Sequence, residues 1–72
     1  MKNIDLEKLG ERIRHYRHAS GMLQRELADA VGVAEKRICF IENGMKAPSL
    51  QLTMRIASVL GVTLNDLVNC GD

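Results

Sequence analysis

Gly32 interrupts a stretch of helical apolar spacing that runs from residue 27 to residue 44. Apolar side chains recur at helical intervals on both sides of it, which indicates one buried face on each of two helices. A chain that ends one helix and begins another at a steep angle needs positive φ at the corner, and glycine adopts it without steric cost. The interruption therefore predicts two short helices, at about 23–31 and 34–43, that cross closely. Their buried positions are predicted to be Leu27, Ala28, Val31, Ile38 and Ile41, with Val33 in the turn.

The length and composition of the chain predict a single helical domain. At 72 residues the chain lies near the lower limit for folding around one core, and we expect one domain over residues 1–72. Hydrophobic residues make up 46% of the chain but aromatic residues only 3%. A core built from Leu, Ile, Val, Ala and Met suits packed helices better than a sheet, which uses more β-branched and aromatic side chains.

Three further helices are predicted on either side of this pair. Asp5 is a predicted N-cap for the first helix, and Gly21 is its predicted end. Ser49 caps a fourth helix that ends at Gly61, and Thr63 caps a short fifth one. The predicted fold class is all-α, a compact bundle of five short helices.

The sequence contains no sign of a membrane or secretory segment. No apolar run approaches the ~18–20 residues that cross a bilayer, and residues 1–9 lack a hydrophobic block of the signal-peptide type. We therefore expect a cytoplasmic protein without a membrane partner. Cys39 and Cys70 lie far apart and form no CxxC motif, so we expect free thiols in a reducing compartment. The net charge of +1 gives no whole-chain argument for nucleic acid.

The angled helix pair is typical of a helix-turn-helix, whose second helix enters the major groove of DNA. In that geometry the beginning of the second helix faces the base edges, which predicts base contacts by Glu35, Lys36 and Phe40. A carboxylate accepts from cytosine N4, an ammonium donates to guanine, and an aromatic ring packs on a thymine methyl. Arg37 is predicted to reach a base or a phosphate. The alternatives are a plain helical hairpin, a Glu35 that only complements the helix dipole, and a Phe40 that tucks into the core.

The chain resembles the lambda-repressor-like, or Cro/repressor-type, helix-turn-helix family. The resemblance extends over residues 9–68 and rests on LGERIRHYR, GMLQRELADAVGV, IENG and APSL, followed by RIASVLGVTLNDL. It implies a five-helix domain that binds a near-palindromic operator as a two-fold dimer. The chain departs from the family pattern at Ala34, where a Ser or Thr cap is usual, and at Leu23, where Thr or Ser commonly precedes the Gln.

Contacts to the DNA backbone are predicted at both ends of the helix pair. Gln24 begins the second helix of the chain, where side-chain amide and backbone N–H groups can meet a phosphate. The resemblance assigns phosphate contacts to Gln24, Asn43 and Lys46. Arg14 and Arg25 are additional candidates, and the alternative for both is a solvated surface charge.

Arg17 and Glu42 lie near the apolar faces of their helices. By resemblance they form an ion pair between the first and third helices. A pair of this kind fixes orientation more than it adds stability, and truncating either side chain leaves the other charge unpaired.

The end of the chain carries more apolar surface than a short helix can bury alone. Val62, Leu64, Leu67 and Val68 lie within seven residues. A patch of this kind at the edge of a small domain tends to be covered by a partner. These four residues are the predicted interface of a homodimer. The dimer would hold the DNA-facing helices of its two copies, each at about 34–43, about 34 Å apart, one turn of B-DNA.

Catalytic chemistry and metal binding have little support in the sequence. His15 and His18 have a spacing that can bind a metal, but no third ligand is placed near them. There is no glycine-rich phosphate loop, no pair of catalytic carboxylates and no supported nucleophile–base arrangement. We predict no catalytic residue, no metal, no cofactor and no enzyme activity.

These features together predict a sequence-specific transcriptional regulator. Its partners are a double-stranded DNA operator and a second copy of the chain, and phage-type repressors and restriction-modification controllers have a similar size and plan. The alternative from a different class is a protein-interaction module, such as an antitoxin whose helix faces bind a partner protein.

Overall fold

The computed structural model describes residues 5–68, and every regular element among them is a helix. The helices are α1 (Leu6–Ala19), α2 (Gln24–Val31), α3 (Glu35–Glu42), α4 (Leu50–Leu60) and α5 (Leu64–Val68). The all-α fold of five short helices is confirmed. Cys70, predicted to be a free thiol, lies outside the described residues, whereas Cys39 is a free, half-buried thiol.

The predicted N-caps are confirmed by their hydrogen bonds. The Asp5 carboxylate accepts from two backbone N–H groups of the first turn of α1, at 3.0 and 3.2 Å. The Ser49 hydroxyl accepts from the Leu52 N–H at 3.1 Å. Thr63 and Asp66 form a reciprocal pair, in which each backbone N–H donates to the other side chain at 2.9 and 3.0 Å. The hydrogen bond from the Thr63 N–H and, secondarily, the Thr63 side chain lower the pKa of the Asp66 carboxyl. Each cap satisfies N–H groups that have no partner inside the helix.

The corner between α2 and α3 is built as the glycine predicts. Gly32 has φ 80° and ψ 32°, in the left-handed region, and its N–H donates to the Ala28 carbonyl at 2.9 Å. The Val33 N–H reaches the same carbonyl at 3.0 Å. Residues with a Cβ rarely adopt this backbone conformation, so the glycine permits the steep turn into α3.

A single apolar core joins all five helices. Its fully buried aliphatic side chains have no exposed area or about 1%, and they are Ile13, Leu27, Ala28, Ile38, Ile41, Ile56 and Leu67. Every helix contributes at least one of them. Among the described residues, no helix is both long and apolar enough to cross a membrane.

Leu67 requires a correction to the predicted dimer interface. Its side chain is 0% exposed and lies in the core of the monomer, so it has no surface left for a partner. Val62, Leu64 and Val68 are only half-buried. A helix as short as α5 turns a single face toward the core, and that face is centred on Leu67. The prediction that Leu67 contacts a second copy is therefore wrong.

Gly10 allows α1 and α3 to touch through their backbones. A Cβ at this position would lie 2.4 Å from the Glu42 carbonyl oxygen and 2.5 Å from that of Ile41. Real Cβ atoms do not approach backbone oxygens so closely. The glycine therefore sets the end of α3 directly against the middle of α1.

Candidate nucleic-acid interface

Helix α3 has one face in the core and one face in solvent. Ile38 and Ile41 are fully buried, which fixes the rotation of the helix about its axis. The opposite face begins with the exposed side chains of Glu35, Lys36 and Arg37, and the half-buried ring of Phe40 follows one turn later. The four residues predicted to read bases therefore all lie outside the buried face of α3.

A shallow concavity of about 230 Å³ lies beside this face. It is lined by Ala34, Lys36, Arg37, Phe40 and Lys46. The Lys46 Nζ lies 5.8 Å from the centre of the Phe40 ring, which is within the range of a cation–π contact. An apolar surface edged by three cations can accommodate the methyl group of a base together with a nearby phosphate.

The beginning of α3 has no side-chain cap. Ala34 occupies the N-cap position with extended backbone, φ −71° and ψ 147°, and it provides no oxygen for the first N–H groups. Ser or Thr at this position would add about 0.5–2 kcal/mol of stability. The exposed carboxylate of Glu35 in the first turn complements the helix dipole instead. Dipole complementation and a base contact are therefore both open as roles for Glu35.

Arg17 and Glu42 form the ion pair that the resemblance implied. The Arg17 Nε donates to Glu42 Oε2 at 2.6 Å, and its Nη2 donates to Oε1 at 3.0 Å. The two side chains are only 8% and 0% exposed. Arg17 Nη1 also donates to the Met22 carbonyl at 2.8 Å. The pair connects α1 to the last residue of α3 and reaches the turn before α2.

Glu42 also accepts hydrogen bonds from two residues that were predicted to contact phosphates. Gln24 Nε2 donates to Glu42 Oε1 at 2.9 Å, and Arg14 Nε lies 3.5 Å from the same oxygen. Burial acts to raise the pKa of Glu42. The hydrogen bonds from Arg17 and Gln24, the charge of Arg17 and the hydrogen bond from Arg14 together outweigh burial, so the pKa is lowered. Glu42 is therefore an ionised carboxylate at the junction of α1, α2 and α3.

Asn43 lies at the end of α3 and is exposed. Its Oδ1 accepts from Arg14 Nη2 at 2.8 Å, and its Nδ2 donates to Cys39 Sγ at 3.5 Å. Arg25, by contrast, is exposed on α2. Of the predicted phosphate contacts, Gln24 and Arg14 therefore meet at Glu42, and Asn43 joins them through its bond to Arg14.

Two short helices joined at a left-handed glycine, with the second presenting an exposed, cation-edged face, form a recognisable motif. The family model described as "Helix-turn-helix" matches residues 13–67, which include all five described helices at least in part. The chain belongs to the helix-turn-helix family.

Three relatives show the class of this helix-turn-helix protein. An uncharacterised HTH-type transcriptional regulator from Archaeoglobus fulgidus is 46% identical over 56 residues, which cover 78% of this chain and 80% of the relative. The restriction-modification controller protein C.AhdI from Aeromonas hydrophila superimposes with a TM-score of 0.84 at 32% identity, covering 88% of this chain and 96% of the controller. The master regulator for biofilm formation SinR, solved in complex with DNA, gives a TM-score of 0.77 at 35% identity, covering 82% and 95%. The helix-turn-helix protein is a transcriptional regulator and not an enzyme.

The two histidines of α1 have partners other than a metal. The His15 ring meets the Tyr16 ring edge to face, with centroids 5.1 Å apart. The His18 Nε2 lies 3.2 Å from Arg17 Nη2. Within residues 5–68 of the helix-turn-helix protein, no three His, Cys, Asp or Glu side chains are grouped as a metal site would require.

Two features of this helix-turn-helix protein were missed in the sequence. The bond from Arg14 to Asn43 joins residues that were predicted to act separately, and no local pattern connects them. Gly10 did leave a signal, since glycine inside a helix costs about 1 kcal/mol relative to alanine and usually has a packing reason.

Proposed function

We propose that this helix-turn-helix protein binds a specific, near-palindromic double-stranded DNA site as a homodimer and thereby regulates transcription. The observation that carries the proposal is the exposed face of α3, where Lys36, Arg37 and Phe40 are accessible and Lys46 lies beside the ring. SinR, whose domain superimposes on this chain, has been solved in complex with DNA. The proposed geometry places α3 in the major groove with its beginning toward the base edges.

Each exposed side chain of α3 supplies a different kind of readout. Lys36 donates to guanine O6 and N7, and Glu35 accepts from cytosine N4. Phe40 offers an apolar surface to a thymine methyl, and its contact with Lys46 places a cation at the edge of that surface. Arg25 and Lys46 neutralise phosphates, whereas Gln24 and Asn43 donate hydrogen bonds to them.

The surface proposed for the second copy combines α5 with the start of α4. Leu64 and Val68 line an apolar groove of about 360 Å³ together with Leu6, Pro48 and Leu50. Leu50 is 66% exposed, so it extends the apolar lining of the groove onto the open surface. Half-buried Val62 lies next to this surface in the sequence. A two-fold axis through the surface would place the two α3 helices of the dimer about 34 Å apart.

Selection of bound sites from a random duplex pool tests the proposed function most directly. We expect enrichment of a near-palindrome whose half-sites are about 10 base pairs apart, one helical turn. Enrichment of a single asymmetric half-site would contradict the dimer. No enrichment at any salt concentration would contradict sequence-specific binding altogether.

Lys36→Ala is expected to relax the preference at one base pair of the selected site. Removal of the bidentate hydrogen bonds to guanine should cost about 1–3 kcal/mol on that site and much less on random duplex. Arg25→Ala serves as the matched control, because an exposed phosphate contact should weaken binding to both duplexes equally. Titrations of both variants against selected and random duplexes provide the measurement. Equal losses of affinity by Lys36→Ala on the two duplexes would contradict its assignment to a base.

Leu50→Asp and Leu64→Asp are expected to disrupt the homodimer while the helical fold remains. Each variant places a charge in the proposed contact, and the loss of avidity should weaken binding to the palindrome about 10²-fold. Sedimentation reports the association state and circular dichroism reports the fold. Gln51→Asp, at an exposed neighbouring position, is the control. Variants that still dimerise would show that the interface lies elsewhere. A substitution at Leu67 is unsuitable for this test because its side chain is in the core.

A further inference from the structure

The amide of Asn43 is held on both sides. Its Oδ1 accepts from Arg14 Nη2 at 2.8 Å, and its Nδ2 donates to Cys39 Sγ at 3.5 Å. Asn43 itself is exposed and occupies the C-cap of α3, with Gly44 following at φ 75°. A short exposed side chain at a helix end would otherwise be able to rotate freely.

The chemistry of the two neighbours determines which way this amide points. A guanidinium has donors and no acceptor, so the atom that faces Arg14 must be the amide oxygen. The NH₂ group is consequently directed away from Arg14. One of its two hydrogens is directed to Cys39, and the other has no partner among residues 5–68. That remaining N–H is suited to an anionic acceptor such as a phosphate oxygen.

Several donor atoms of Arg14 are already engaged in contacts within the protein. Besides the bond to Asn43, its Nη2 lies 3.5 Å from the Glu42 carbonyl oxygen and its Nε lies 3.5 Å from Glu42 Oε1. The Arg14 side chain is 41% exposed, and its charge lies next to the buried carboxylate. The closest of its contacts is the one to Asn43, and the carboxylate partly offsets the charge that a phosphate would otherwise attract.

We propose that Arg14 is a positioning residue, which orients the Asn43 amide so that Nδ2 donates to a DNA phosphate. This inference rests on the proposed DNA binding and replaces the sequence-based prediction that Arg14 touches a phosphate directly. Arg14 acts through Asn43, and the pair behaves as one phosphate contact contributed by α1 and α3 together.

A double-mutant cycle on the selected duplex tests the pair. Arg14→Ala and Asn43→Ala should each weaken binding about tenfold, the order expected for one hydrogen bond to a charged group. The double variant should bind no more weakly than either single variant, because both changes remove the same hydrogen bond to DNA. Losses of affinity that multiply in the double variant would overturn the inference.

Two further measurements distinguish positioning from direct contact. A duplex with one phosphate replaced by an uncharged methylphosphonate should weaken binding of the unmodified protein, and Arg14→Ala and Asn43→Ala should both be insensitive at the same phosphate. The salt slope of Arg14→Ala should remain unchanged, whereas Arg25→Ala should reduce it by about 0.9 for each phosphate that is no longer neutralised. Insensitivity of the two variants at different phosphates, or a reduced slope for Arg14→Ala, would show that Arg14 binds DNA itself.

Asn43→Asp keeps a partner for Arg14 but removes the donor. It should therefore fold like the unmodified protein by circular dichroism and bind DNA more weakly than Asn43→Ala, since a carboxylate repels the phosphate. Binding at least as tight as that of Asn43→Ala would contradict the inference. If the unmodified protein fails to bind any duplex at low salt, the proposed function itself is wrong. If it binds and the losses of affinity multiply in the double variant, only the role of Arg14 is wrong.

Discussion

Binding to the selected duplex is expected to fall about 10³–10⁵-fold when the salt concentration rises from about 50 to about 200 mM. The reason is the release of counterions from each phosphate that a Lys or Arg neutralises, and a fall of this size corresponds to about 6–10 neutralised phosphates per dimer. Arg25, Arg37 and Lys46 are exposed on or beside the α2–α3 pair, and under the proposed DNA binding they would give three such contacts in each protomer. Two protomers would together make six such contacts, which is the lower end of that range.

Titrations at four or more salt concentrations give the slope of log affinity against log salt. Lys46→Ala should reduce the slope by about 0.9 for each phosphate that it leaves without a cation. Random duplex should show a similar slope at lower affinity, because phosphate contacts carry no sequence information. A protein that ignores duplex DNA even at the lowest salt would contradict the DNA-binding proposal.

Glu42→Ala is expected to lower the free energy of unfolding by about 3–5 kcal/mol. The substitution leaves the Arg17 guanidinium buried without its carboxylate, and Gln24 loses its acceptor at the same time. Small domains are commonly stable by only about 5–15 kcal/mol, so a large part of the stability would be lost. Urea unfolding followed by circular dichroism measures the change.

Two comparison variants identify the unpaired charge as the cause. Glu35→Ala, which removes only an exposed carboxylate of the same helix, should lower the free energy of unfolding by no more than about 1 kcal/mol. The double replacement Arg17→Met with Glu42→Leu removes both charges, and it should recover much of the stability that Glu42→Ala loses. A double variant as unstable as the single one would show that the loss of stability has another origin.

The same pair makes stability depend on pH in a defined direction. The folded pKa of Glu42 lies below its ordinary value of 4.5, so the unfolded chain takes up the proton first as the pH falls. The stabilisation is fully present above about pH 4.5 and is lost as the pH falls through the folded pKa. The difference in unfolding free energy between the unmodified protein and Glu42→Gln should therefore shrink on acidification. The Asp66 carboxylate titrates in both proteins and cancels in this difference.

Helix ends were predictable from the sequence because capping is a local property. Asp5, Gly32 and Ser49 act on N–H and carbonyl groups a few residues away, so the residue type and its neighbours suffice. Leu67 was misassigned because four apolar residues in a short segment do not reveal which one faces the core. That choice is made by the docking of α5 onto α1 and α4, which the local spacing does not contain.

The candidate site was predictable in part for a similar reason. The exposed face of α3 follows from the helical period once Ile38 and Ile41 are placed in the core. The bond between Arg14 and Asn43 depends on how α1 crosses α3, and that crossing is set by the close approach at Gly10. Contacts between segments distant in sequence carry no local pattern.

The buried and exposed faces of α3 differ in how much a substitution costs in stability. Ile38, Ile41 and Glu42 maintain the architecture, and their replacement is costly. Exposed positions such as Lys36 contribute nothing to the core, so substitutions there leave stability nearly unchanged. Under the proposed DNA binding, a lineage with this scaffold can change its operator without losing the fold, and duplicated copies can diverge to control different genes. The same separation makes the exposed face of α3 the natural target for engineering a new binding preference.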